Sequence, residues 1–564
     1  MPVLVVPGVS VEASFDVLPP LPAAAGIVGV VGIVDRPPPQ PALVGVSRVA
    51  ELQDLLGPGT VASMPEAAHA LFSGAREVVV SAVTGGAPSR ATLVNPAGNP
   101  AVRLRARSSG AWADRLSADV RAVTNAAGDV VRVTLRILLD GAEVERFDDL
   151  VVEPGESLDL FDVVNARSAH VVAVEPGFEG DDPAEGSYPL SEEGTVAVPQ
   201  DGAPGTILMD VNLARGAEPD GVSVTIEGSD DEISVEVLRN GARQELHEHL
   251  TMDPDSARHL PAVLSAQSRF VRATARSSLA EGERLPRATS APVAFTDGAS
   301  PNLAAYRAAI DLLAEDPRID LVLASFEPTL ATDAVVSIHQ ALLAHAVVMT
   351  DAGAPRIAFG SVRPADAADL DAIRDHAAAV RNRRFVLVAP AGAAGVVAGL
   401  IGRMEPQESP TFKGAPLLGI APARYRESEL NRLLGPSTNL LVVQQRVGRG
   451  VVVLKGIDTS GDQISVTRVA DRCIRETKAT AENFIGRLNS ADARTALKQQ
   501  LVAVFTRMER AGALVPSTDG TDPAFIVDVY STQADFAQGI VRVDIAVRPV
   551  RAIDYVYATI RVKN

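Results

Sequence analysis

The chain has 564 residues, 46% of them hydrophobic, so three or four folded domains are expected and global disorder is excluded. A single cysteine, Cys473, excludes an internal disulfide scaffold and any zinc site built on several thiolates. The formal charge is −18, yet residues 141–260 alone carry 28 acidic against 6 basic side chains, whereas residues 441–564 carry 17 basic against 13 acidic. Nucleic-acid binding through the acidic stretch is excluded, and a solvated outer region is expected there.

The opening, Pro2 to Glu12, is β-prone, broken by Pro7-Gly8, and has no partner strand nearby in sequence, so it reads as an extended arm. No basic residue precedes Arg36, so no secretory leader is expected. The apolar stretch Ala23–Val34 is too short to span a bilayer. A small-residue strand over Gly26–Val34 is followed by the proline cluster Pro37–Pro41, then helices over Ser47–Leu56 and Pro65–Ser73 and a strand over Glu77–Val83. From Ala91 to about Pro292 short strands recur, with hairpin signals at Asp140-Gly141 and Asn240-Gly241. Glu175–Gly205, rich in Gly, Pro and acidic residues, reads as an exposed excursion.

Alternation returns from Leu303 to Pro390, with helices over Leu303–Ala314, Asp333–Thr350 and Ala365–Val380 between strands over Leu321–Ser325, Arg356–Phe359 and Phe385–Ala389. That rhythm predicts parallel strands joined by crossover helices. Strands over Leu440–Gln445 and Val451–Lys455 follow, joined through Arg446–Gly450, and then Ile464–Val469 before a long helical stretch. In that stretch Leu497, Leu501, Val504, Phe505 and Met508 share one helix face, with Ser490 placed to cap its start and Gly512 its end. Strands over Phe525–Tyr530, Val541–Val547 and Ile553–Val562 close the chain.

Chemistry-bearing patterns are few. Gly26, Gly29 and Gly32 lack the spacing and following helix of a dinucleotide loop, no lysine follows a phosphate-cradling loop, and neither a nucleophile elbow nor an H-E-x-x-H pattern occurs. His247, His249 and His259 read as surface histidines, and His339 and His345, six apart on one helix, make no site. Ser325, Glu327 and His339 at the ends of candidate strands form no recognisable constellation, and Cys473 reads as a core residue. No enzymatic activity, cofactor or metal is expected.

Several ordered segments carry a resemblance: Pro7–Glu12, Gly26–Gly32 and Leu71–Ser81 at the start, then Ala398–Arg403, Lys413–Pro416, Glu429–Asn431, Asn439-Leu440, Gly448–Gly450, Gly456–Thr459 and Arg510–Leu514. Together, over about residues 1–90 and 300–564, they resemble contractile tail sheath proteins of phages and related injection systems. Leu454 and Lys455 depart from the tryptophan many sheaths carry before the glycine. The only tryptophan is Trp112.

The resemblance implies a helical homopolymer around an inner tube, with baseplate and tail terminator proteins as further partners, which contracts to drive the tube through a target envelope. It would assemble in a bacterial cytoplasm and end as part of a phage tail or phage-like particle, without nucleic acid or membrane insertion. The expected fold is α/β and α+β multidomain: an extended arm (1–22), the N-terminal part of the sheath core (23–90), a β-rich acidic insertion in one or two subdomains (91–295), an α/β domain (296–435), a C-terminal core domain (436–550) and an arm strand (551–564). The arms, with Val3, Val5, Val9 and Val11 in one and Tyr555, Tyr557, Ile560 and Val562 in the other, are expected to add to sheets of neighbouring subunits. Arg494, Lys498 and Arg507 are expected to face the tube. A surface adhesion protein is the alternative, which should show an export signal and independent repeats, neither evident. An α/β enzyme is a more distant one.

Overall fold

The structure, a computed structural model, describes residues 26–554 apart from 126–129, 153–156, 177–180, 215–216, 218–220, 229–231, 255, 257, 277–278 and 280–282. The chain is α/β and α+β and falls into two compact units, one over 26–464 with 552–554 and one over 465–551.

The larger unit is built on an eight-stranded sheet in the order Leu43–Val46, Glu77–Val83, Ile27–Ile33, Leu321–Ala324, Ile357–Ser361, Phe385–Ala389, Leu441–Arg446, Gly450–Val453. The six inner strands are parallel, as the alternating pattern predicts, and an antiparallel strand closes each edge. Helices cover both faces, so strands such as Ile27–Ile33 and Phe385–Ala389 are buried along their whole length and read as unbroken apolar runs. Two of these helices, Pro65–Ser73 and Ala394–Arg403, lie unusually close. A side chain at Gly395 or Gly399 would overlap the carbonyl oxygens of Glu66 and Ala70. Helix Thr332–Asp351 is long and apolar enough to cross a bilayer by length and composition, which the sequence reading did not anticipate. It packs on the sheet through Val335, Ile338 and Leu342.

The central pair Ile27–Ile33 and Leu321–Ala324 joins residues some 290 positions apart, and the chain between them leaves and re-enters the core at one place. Ala87 and Ala299 exchange both backbone hydrogen bonds at 2.9 Å, and Arg90 and Thr296 do the same. Between these points lie two modules of the same construction. In the first, repeat A, a three-stranded sheet (Arg90–Val94, Pro100–Ala106, Val171–Val174) accompanies a four-stranded one (Val293–Ala294, Leu116–Thr124, Val130–Leu139, Ala142–Leu150) and the helix Leu160–Arg167. Repeat B has the same pieces: Thr195–Gln200, Ala203–Leu213, Val271–Ala275, then Gly186–Pro189, Val222–Glu227, Ile233–Arg239, Ala242–Leu250, and the helix Leu260–Gln267.

From the hairpin Val130–Leu139/Ala142–Leu150 to the strand Val171–Val174 the correspondence is residue for residue at an offset of one hundred. Twelve of the 44 residues 132–175 are identical to the residue one hundred positions later. Asp140 and Asn240 (φ 51° and 52°) precede glycine in the hairpin turn, and Asp149 and His249 both stand at φ 56°. The bulges fall at the same steps, Val133/Leu135 and Ile233/Val235. Ser168 Oγ accepts from the amides of His170 and Val171, and Ser268 Oγ from those of Phe270 and Val271. The repeats meet through equivalent surfaces. Phe161, Asp162, Asn165 and Ala173–Glu175 line one small cavity together with Pro261, Ala262, Ser265 and Ala273–Ala275, and Arg272 pairs with Asp162 at 2.8 Å.

Three expectations are corrected here. Independent repeats are present, so their supposed absence no longer weighs against the adhesion alternative. Glu175–Gly205 is not a plain excursion, because it supplies strands Gly186–Pro189 and Thr195–Gln200 and the start of a third. His259 is buried, because it stands at the start of the helix that packs towards repeat A.

The smaller unit opens not with a strand at Ile464–Val469 but with one long helix, Ile464–Glu482. There the β-branched residues yield to a strongly amphipathic helical pattern. A second helix, Ala491–Arg510, is capped by Ser490 Oγ, which accepts from the Ala493 amide at 3.1 Å, and ends at Gly512 (φ 72°), as expected. Its stripe Leu497, Leu501, Val504, Phe505 and Met508 is buried with Val469 and Cys473 against the hairpin Phe525–Tyr530 and Arg542–Val547.

Candidate assembly surfaces

An open parallel sheet of this kind binds ligands where the strand order reverses, outside the carboxyl ends of its strands. Here that point lies between Ile27–Ile33 and Leu321–Ala324, and protein fills it. Arg107 of repeat A reaches Asp35 at 3.6 Å, both side chains 5% exposed, while Asp35 also accepts from the Gly59 amide at 3.0 Å. The Trp112 amide donates to Glu327 Oε1 at 3.5 Å and Ser300 Oγ bonds the other oxygen. Gly110 sits so close that any side chain there would strike the Glu327 carboxyl. Glu66 bonds Ser325, and burial pushes its carboxyl up to about 7.

Ser325 and Glu327 thus have separate partners, and His339 packs edge-on against Phe326 between them, ring centroids 5.5 Å apart, without a hydrogen bond to either. Its ring stacks on His376 at 5.0 Å, Nδ1 to Nε2 2.8 Å, with burial holding both below the usual imidazole range and His376 near 4. Cys473 is buried, which pushes its thiol up to about 12, a value at which it is not a nucleophile near neutral pH. Among the described residues no group of three or more His, Cys, Asp or Glu side chains is placed to hold a metal ion.

Surfaces suited to protein contact are more evident. The hairpin of the smaller unit turns Val527, Val529, Val543 and Ile545 towards the helix, and Ile526, Asp528, Arg542 and Asp544 away from it. Among the described residues it is a sheet of only two strands, so the outer backbone edge of each is open to a further strand. The arm residues Val3, Val5, Val9, Val11, Tyr555, Tyr557, Ile560 and Val562 lie outside the described residues.

Arg494 and Lys498 stand one turn apart on helix Ala491–Arg510, while Arg507 is nine residues on, half a revolution round. Arg494 donates to Asn489 Oδ1 at 2.6 Å, Lys498 pairs with Asp528 at 3.3 Å, and Arg507 is exposed.

A second basic feature was not singled out from sequence. At the sheet edge, the hairpin Leu441–Arg446/Gly450–Val453 ends in Val447, fully exposed, between Arg446 and Arg449. Both guanidinium groups lie over the Phe412 ring, 5.0 and 4.9 Å from its centroid. Phe412 holds φ 59°, unusual for a bulky side chain, while its amide donates to the Val453 carbonyl at 2.7 Å. Phe412 lies more than thirty positions before both arginines in the chain, and spacing alone gives no sign of their meeting.

Comparison with known proteins bears on the C-terminal part. Residues 458–563 match the family model of the phage tail sheath C-terminal domain. No curated protein sequence matches the chain. Among solved structures it is similar to a sheath tail protein from Desulfitobacterium hafniense (14% identity, 97% of each chain covered, TM-score 0.46). It is likewise similar to one from Listeria innocua (12% identity, 95% of this chain and 94% of that one, TM-score 0.45). A chain of the contracted helical sheath of the anti-feeding prophage is 17% identical over 46% of this chain and 74% of its own, with TM-score 0.36.

Proposed function

We propose that this chain is a structural sheath subunit: it polymerises helically around an inner tube and contracts to drive that tube through a target envelope, in a phage tail or a phage-like injection particle. The observation that carries the reading is that the segment matching the tail sheath C-terminal domain contains an open-edged two-stranded hairpin. Such a sheet completes itself by accepting strands from other subunits. Residues 1–22 and 551–564 supply those strands in this reading, through Val3, Val5, Val9 and Val11 and through Tyr555, Tyr557, Ile560 and Val562. Contacts of that kind are heterologous and propagate into a filament rather than closing a ring.

The inner tube, baseplate and terminator are the other partners, and Arg494, Lys498 and Arg507 would meet the tube. Assembly in a bacterial cytoplasm precedes incorporation into the particle. In this reading the chain carries no catalysis of its own, which is supported by the filling of the crevice where an α/β sheet would bind a ligand with Arg107, Gly110 and Trp112. Contraction then draws on free energy stored during assembly, released as rigid cores change packing while their strands stay linked.

Negative-stain electron microscopy of the full chain beside a variant lacking residues 1–20, with tube protein supplied to both, tests this. Hollow helical tubes from the full chain alone are expected. Monodisperse particles from both would overturn the reading. A second reading, a surface-binding protein, is favoured by one observation, the tandem repeats, and that outcome would turn attention to it.

A further inference from the structure

The two ends of the eight-stranded sheet carry opposite charge. Repeat B, over residues 181–276, has 18 acidic and 7 basic side chains, net −11, and repeat A, over 88–175, has 13 and 10, net −3. The acidic repeat meets the core beside the edge strand Leu43–Val46. Arg258 Nη2 donates to the Pro37 carbonyl at 3.1 Å, and Leu246 and His247 close a cavity of about 460 Å³ with Pro37–Pro39, Val44 and Leu55. The hairpin with Arg446, Val447 and Arg449 lies at the opposite edge, beyond Leu441–Arg446. Seven interstrand spacings of about 4.8 Å separate the edges, roughly 34 Å, several times the ~8 Å over which exposed charges act at physiological salt.

The hairpin tip is prepared for a contact that its own chain does not provide. Neither Arg446 nor Arg449 pairs with a carboxylate among the described residues, and Lys413 beside Phe412 is exposed as well. Stacking both guanidinium groups on one ring fixes two long side chains that would otherwise lose rotamer freedom on binding. Val447 projects between them with its whole side chain in solvent, flanked by Gly448 at φ 76°. Repeat B offers the complement: Glu192 and Glu193, in the turn before Thr195–Gln200, are exposed.

We infer that the Arg446–Arg449 hairpin tip of one subunit docks on the acidic repeat B of a second copy of this chain. A basic patch at one sheet edge and an acidic module at the other form a head-to-tail pair, which repeats without closing and gives the polymer a second connection besides its arms. The inference rests on the sheath reading. Its test is Arg446→Glu/Arg449→Glu in the full chain, alone and combined with Glu192→Lys/Glu193→Lys, followed by sedimentation velocity and electron microscopy at low and high salt.

The hairpin reversal is expected to weaken self-association about tenfold or more at low salt, to leave the melting temperature unchanged because both arginines are on the surface, and to be rescued at least partly by the second reversal. Tubes and association equal to wild type from the hairpin variant would overturn the contact while leaving the sheath reading intact. A wild-type chain that neither associates nor forms tubes in either medium, with tube protein supplied as well, would overturn both. A loss that the second reversal does not restore at all would overturn repeat B as the occupant.

Discussion

Repeats A and B follow one backbone path with different surfaces, and the difference separates what a module needs to fold from what it needs to attach. The shared residues meet backbone obligations. Gly141 and Gly241 close the hairpin, Ser168 and Ser268 satisfy the amides after the helix, and Glu145 and Glu245 accept from the amides of Ala169 and Arg269. Leu150, Leu160, Leu250 and Leu260 fill equivalent core positions. Where repeat A joins the core, the pair diverges. Arg107 and Ala214 are equivalent, their amides donating to the carbonyls of His170 and Phe270, but only Arg107 carries a charge into the crevice to meet Asp35.

The sharpest way to break that comparison is at this point. Arg107→Ala leaves Asp35 buried beside an empty site and should cost about 3–5 kcal/mol, read as a lower urea midpoint for the larger unit. Ala214→Ser in repeat B should cost far less, since no buried charge depends on it. An equal loss from both would show that Arg107 is no anchor.

Next is Glu145→Ala. The carboxylate accepts from Ser168 Oγ at 2.6 Å and bonds His170 Nδ1 at 2.8 Å, so its removal should cost about 1–3 kcal/mol. Burial opposes the charge on Glu145, yet the His170 and Ser168 hydrogen bonds hold the carboxyl below the usual range. Its contribution is therefore present above the unfolded carboxyl value near 4 and lost as pH falls through the folded one. The variant should lose that acid sensitivity, checked by melts between pH 3 and 6.

Asp159 and His259 sharpen the comparison through opposite signs. They start equivalent helices, and burial pushes the Asp159 carboxyl up to about 7 and the His259 imidazole down to about 3. Asp159, raised when folded, gives stability that is full below its unfolded value near 4 and is lost as pH rises to about 7. His259, lowered when folded, gives stability that is full above about 6.5 and is lost as pH falls. Amide exchange should speed up in Leu160–Arg167 on raising pH from 4 to 7, beyond its intrinsic change, and in Leu260–Gln267 on lowering it, by at most ~1.4 kcal/mol per unit. Asp159→Asn should flatten the first response and His259→Asn the second.

The smallest effect is expected from Ser268→Ala, about 1 kcal/mol, by the same melts.

Much of the core was legible because its signals are local. Pro65–Ser73, Glu77–Val83, Phe385–Ala389 and Phe525–Tyr530 begin and end where proline, glycine and apolar runs place them. Local signals also misled. The alanines after Pro364 suggest a helix from Ala365, but Asp369 accepts from the amides of Asp371 and Ala372 and starts it at Leu370. The repeat stood in the sequence all along, but its identities are scattered over turn, cap and core positions and form no contiguous motif. His259 could not be placed without repeat A, towards which its helix packs. The Arg446–Phe412–Arg449 cluster depends on a fold that brings the segment before Gly414 beside Gly450–Val453. The family resemblance was visible at both ends, and the part with a family match, 458–563, lies within its C-terminal stretch.

The ladder between Ala87 and Ala299 makes the insertion a cassette with a single doorway. Because the chain enters and leaves through residues already hydrogen-bonded to each other, the core meets the same two ends whatever lies between them. Lengthening the contents adds only a slowly growing closure entropy. A second module could therefore be added within the insertion without altering any strand of the sheet, and the insertion can change its charge and its contacts while the sheet beneath keeps one design.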